Sequence, residues 1–141
     1  MRKGLFLTWF VLALALVLTA CGGGAANDGS GDSSAVVGNP TRGEKLYAQN
    51  PIGKAGAPGC ITCHSLEPDK VLVGPSHVGL GARAGSYVEG MSAEEYLHES
   101  IVSPNAHIVE GFTPGVMYQN YGADLNAQEI ADLVAYLMTL Q

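Results

Sequence analysis

The clearest periodicity in the chain lies at its end, where Ile130, Leu133, Val134, Leu137 and Leu140 recur at the i, i+3, i+4, i+7 spacing of one helical face. Asn126 followed by Glu129 forms a capping box, and Leu125 with Ile130 supplies the hydrophobic staple for entry into that helix. Ser92-Ala93-Glu94-Glu95 opens a second helix, which must end before Pro104 because the residue ahead of a proline is pushed out of the helical region. Thr41-Arg42-Gly43-Glu44 reads as a third capping box, with Thr41 as N-cap and Glu44 at N3. It predicts a short helix to about Gln49, making apolar contacts through Leu46 and Tyr47. Gly43 inside that helix costs about 1 kcal/mol against alanine, so a second backbone is expected to pass close by. Pro51 to Gly59 is a Gly/Pro-rich loop, and the whole pattern is that of a small all-α domain over residues 40–141.

The N-terminus follows other rules. Arg2 and Lys3 precede a nearly continuous apolar stretch from Leu5 to Leu18, the form of a secretory signal. Leu18-Thr19-Ala20-Cys21 looks like a bacterial lipobox, in which the cysteine is acylated and becomes the new N-terminus. An uncleaved span is the alternative, but the uncharged stretch Gly4 to Ala20 is shorter than the roughly 20 residues a membrane helix needs. Residues 1–20 are therefore expected as signal peptide and 21–39 as a lipid-anchored linker, placing the domain outside the cytoplasm on the cell membrane. Gly22 to Asn39 lacks periodicity, and some 18 such residues would have a root-mean-square span of roughly 23 Å.

Composition sharpens this picture. Nineteen glycines among few charged residues suggest a small, loop-rich fold that wraps something instead of building a large core. Cleavage before Cys21 would remove two cations and no anion, taking the formal charge from −6 to −8. That charge excludes nucleic acid as a partner and favours redox proteins with basic docking surfaces.

Cys60-Ile61-Thr62-Cys63-His64 supplies the missing core. C-x-x-C-H is the attachment signature of a c-type haem: Cys60 and Cys63 can form thioethers to one porphyrin, and His64 is then pressed against the iron. A zinc half-site would need a second ligand pair, which the sequence lacks, and a thioredoxin-like pair has no use for the adjacent histidine. One covalent haem c is the expected cofactor.

The motif with Gly74-Pro75 eleven residues beyond His64 resembles the class I cytochromes c. The resemblance covers residues 40–141 and implies that family's fold, short helices around one haem with the N- and C-terminal helices crossing. It implies that the Pro75 carbonyl accepts a hydrogen bond from the His64 Nδ1–H. It also implies that Gly43 and Tyr47 face Leu133 and Tyr136 where the helices cross. The family's second axial ligand is a methionine just before the last helix, which here is Met117; Tyr118 follows it where the family usually has proline. Met91 and Met138 are bound up with helices. His98 reads as solvent-facing, His77 falls on the same side as His64, and His107 is the rival ligand. Arg83 and Tyr87 are candidates for the haem propionates, with a surface arginine as the equal alternative.

Residues 96–101, 104–111 and the Met117 loop are similar to two relatives in particular. These are the monohaem cytochrome c subunit of alternative complex III and the cytochrome domain at the end of some oxidase subunits II. The expected function is one-electron transfer in a respiratory or photosynthetic chain, as a subunit of a quinol-oxidising complex or as a free-standing lipoprotein, and not catalysis. An open sixth position, giving a gas sensor or enzyme, is the alternative, and a purely anchoring subunit a third.

Overall fold

The computed structural model describes residues 36–68 and 70–141. The signal peptide, Cys21 and most of the linker expected from the sequence lie outside these residues. Five α-helices are found among those described: α1 (Pro40–Ala48), α2 (Leu80–Arg83), α3 (Ala93–Val102), α4 (Tyr121–Asp124) and α5 (Ala127–Leu137). A 3-10 turn over Cys60–Thr62 carries the first part of the haem-attachment motif, and a second over Ala84–Ser86 continues α2. The β-type pairing described is an isolated bridge, Ile52 to Ala57, in the loop that delivers the chain to Cys60.

Local chemistry sets the helix starts. Ser92 and Asn126 both form complete capping boxes, with Glu95 and Glu129 returning a hydrogen bond to the cap backbone. The expected box at Thr41 is not the start of α1. Asn39 is the N-cap, its side chain accepting from the Arg42 N–H, and Pro40 takes the first helical position. The physical reason is that proline needs no N–H at that position and its fixed φ already suits the helix, so the boundary moves two residues earlier. The end of α5 also differs, since the helix stops at Leu137 and Leu140 lies beyond it.

α1 packs against α5. A side chain on Gly43 would collide with the carbonyl of Asp132 and lie 2.8 Å from the Tyr136 Cβ, so the glycine is what lets the two backbones approach. The Tyr47 and Tyr136 rings meet there at 5.3 Å between centroids, tilted by 58°. Leu133 is buried beside them, in one core with Ile52, Leu97, Ile101, Tyr121 and Leu125. The last residues of the expected linker also belong to this packing. Gln128 donates to the Val37 carbonyl at 2.9 Å, and the Asn39 N–H donates to Asp132 at 2.7 Å.

Candidate functional site

A cavity of about 560 Å³ opens between the attachment motif, α3 and the segment ahead of α4. Cys60, Cys63, His64, Pro75, Arg83, Tyr87, His107 and Met117 all line it. Residues spread over nearly sixty positions of the sequence therefore share one apolar chamber, within the usual size of a small-molecule site.

One wall is built from the motif. The turn at Cys60–Thr62 is closed by the N–H groups of Cys63 and His64 donating to the Cys60 carbonyl at 3.1 and 3.0 Å. This winding brings both thiols and the imidazole to the cavity. His64 is buried, and its Nδ1 donates to the Pro75 carbonyl at 2.8 Å. A carbonyl can only accept, so the proton is on Nδ1 and the Nε2 lone pair is left for a metal. Burial holds the imidazole below its ordinary range, against the opposing pull of that carbonyl, which keeps the ring neutral. Burial likewise raises the Cys60 thiol to about 11, so without a covalent partner it would remain an unionised thiol in an apolar wall. Gly74 is required beside this ring, because a Cβ there would sit 2.5 Å from the His64 Cε1.

Met117 and His107 also line the cavity, both partly buried. Met117 packs against the hydrophobic core. His107 lies beside the stacked pair of Tyr87 and Tyr96, 6.2 Å from the first ring and 5.7 Å from the second by centroid. Arg83 points into the 76–78 loop: it donates to Ser76 O at 2.5 Å and to the Val78 carbonyl, and its Nε donates to the Tyr87 hydroxyl at 2.8 Å. It is thus neither free on the surface nor isolated, and it joins Tyr87 at the cavity wall. His98 is exposed on α3.

Two contacts go beyond what the sequence indicated. The Tyr121 hydroxyl donates to Pro58 O at 2.6 Å, tying α4 to the loop just before Cys60. His77 stacks on His64, with ring centroids 3.9 Å apart and planes 19° from parallel. A buried tyrosine needing a distant acceptor gave a weak signal for the first; for the second, the sequence placed His77 on the same side as His64 but not in a stack with it.

Two thiols, an imidazole with its coordinating nitrogen free, and an apolar chamber are the donor set of a covalently held haem, and the residues present fit that group. The family model described as "Cytochrome c" matches residues 40–141. The chain belongs to the cytochrome c family, whose fold is the one described here, with haem c as its covalent cofactor and electron transfer as its work. Among solved structures it is similar to SoxXA from P. pantotrophus, at 23% identity over 75% of this chain and 84% of that one, TM-score 0.45. It is also similar to the class 1 cytochrome MtoD from Sideroxydans lithotrophicus ES-1, at 21% identity over 71% and 94%, TM-score 0.46. A search of curated proteins finds no match.

Proposed function

We propose that this protein is a membrane-anchored one-electron carrier, joined to haem through Cys60 and Cys63, with His64 and Met117 as the axial ligands. The single observation that carries the reading is that Met117 lines the same apolar cavity as Cys60, Cys63 and His64, from the segment leading into α4. When bound, haem c supplies a one-electron ferric/ferrous couple. The residues do the rest. Pro75 holds the His64 proton on Nδ1 and so directs Nε2 inward. The apolar walls exclude water, which favours the less charged ferrous state, and the soft thioether of Met117 acts in the same direction. Arg83 and Tyr87, hydrogen-bonded to each other at the cavity wall, would be the partners of a haem carboxylate.

Cys21 would carry the lipid, with the linker of residues 21–39 leading to the domain, putting it on the outer side of the cell membrane. An acidic mature chain suits a partner with a basic docking face. Membership of a quinol-oxidising complex, passing electrons to a soluble acceptor or terminal oxidase, is the setting this combination fits.

Haem should remain with the polypeptide through acid–acetone extraction and denaturing electrophoresis, and its release from matured protein would remove the reading. A second ligand assignment has one observation behind it, since His107 lines the same cavity. Met117→Ala should create a high-spin haem that binds carbon monoxide, while His107→Ala should leave the spectrum low-spin. The reverse result would transfer the sixth position to His107.

A further inference from the structure

His77 lines the cavity but has no task in the reading above. Its ring lies almost face to face with that of His64, 3.9 Å away by centroid. It is held in place at several points. Its backbone N–H donates to Ser65 O at 2.9 Å, and its carbonyl accepts from the Leu80 N–H at 3.1 Å. Its Nδ1 is 3.2 Å from the Tyr47 hydroxyl, which is itself 3.4 Å from the His64 carbonyl. One assignment of protons satisfies the whole chain: His77 Nδ1–H donates to the Tyr47 oxygen, and the Tyr47 O–H donates to His64. The network therefore starts at the His64 ring, crosses the stack, and returns to the His64 backbone.

The Pro75 carbonyl restrains one atom of the His64 ring, Nδ1. A single hydrogen bond fixes a point, and the ring can still swing about it. A flat partner in van der Waals contact fixes the plane. An aliphatic side chain offers no flat face, and a phenyl ring offers the face without the nitrogen that Tyr47 engages.

We infer that His77 is a positioning residue that sets the plane of the His64 imidazole, and through it the electronic environment of the bound haem. This rests on His64 being an axial ligand. His77 is neither a ligand itself nor a group that must change protonation.

The test compares His77→Leu, His77→Phe and Tyr47→Phe in the matured, haem-loaded protein. Electron paramagnetic resonance of the ferric form reports the orientation of the axial imidazole, and redox titration reports the midpoint potential. His77→Leu should displace both the g values and the potential. His77→Phe, keeping the stack, should stay close to the parent in g values, and Tyr47→Phe should move them in the same direction as leucine by less. Thermal stability measured alongside separates mere packing, which would lower Tm equally in both His77 variants with no change in g values. A leucine variant with the parent's g values and potential overturns the inference. So does a phenylalanine variant displaced as far as leucine. Failure of the underlying haem assignment would be seen earlier, as loss of haem from the parent protein in acid–acetone.

Discussion

Asp132 holds a buried carboxylate among four donors: the Asn39 N–H at 2.7 Å, Arg42 Nε and Nη2 at 2.6 and 2.8 Å, and Gln128 Nε2 at 2.9 Å. The Arg42 hydrogen bond is the largest influence and outweighs burial, so the carboxyl is lowered from 3.8 to about 2. A group whose folded pKa lies below its unfolded value contributes stability that is complete above the unfolded pKa. That contribution is lost as pH falls through the folded one, here between about pH 4 and pH 2. Asp132→Asn should therefore lower Tm at neutral pH, and its deficit should shrink as the pH is taken down through that window. Parallel Tm curves for parent and variant would show that the carboxylate is not the cause. Gly43 gives a second residue-scale prediction, in which two effects oppose. Alanine would gain about 1 kcal/mol in helix propensity. Forcing a methyl against the Asp132 carbonyl would cost about 1–3 kcal/mol of overpacking, so Gly43→Ala should destabilise in chemical denaturation.

The elements around Met117 show how a loop with no proline directly after its methionine is held. The Gly115 N–H donates to Asn105 Oδ1 at 2.8 Å, upstream of the methionine. Downstream, the Tyr118 hydroxyl donates to Asp124 at 2.5 Å, and its ring meets Tyr121 edge-on at 5.0 Å. Tyr118 thus fastens the segment to α4 at the position where the family usually has proline. Tyr118→Phe removes only the hydroxyl, and it should increase the affinity of the ferric protein for added imidazole severalfold with the resting haem still low-spin. Unchanged imidazole titrations would show that the bond does not restrain the loop. The contrast between Tyr118 and the capping boxes shows what was readable beforehand. Ser92–Glu95 and Asn126–Glu129 close within one turn, so sequence alone located both helices. Gly43, as a costly residue needing a reason, led to the helix crossing. α2 and α4 are four-residue helices with no room for periodicity and were not expected. The bonds from Arg83 to Ser76 O and Val78 O, and the stack of His77 on His64, depend on how a loop folds back. No spacing rule encodes that.

Among the described residues, the cavity and the acidic groove on α3 are lined by different side chains. α3 turns Tyr96, Leu97 and Ile101 into the cavity. Glu94, Glu95, His98 and Glu99 line a different groove, next to Val37 and Ala131. Near the cavity three large apolar side chains are exposed, beside the polar Asn105, Thr113, Gln119 and Asn120 of its lining: Ile61 lies between the two motif cysteines, and Val73 and Val116 belong to the lining. A partner approaching the cavity would meet apolar surface at contact range and an acidic field at longer range. These two ranges respond differently to salt. The Debye length falls from about 30 Å at 0.01 M to about 3 Å at 1 M, so the field is screened while apolar contact persists. Electron exchange with a small basic redox protein should therefore slow steeply as salt is raised, then level off at a rate that salt no longer changes. Val116→Asp should lower that plateau, whereas Glu94→Gln with Glu99→Gln should flatten the salt dependence and leave the midpoint potential unchanged. Stopped-flow rates across that salt range provide the check. A rate independent of ionic strength for the parent protein would mean that its net charge plays no part in finding a partner.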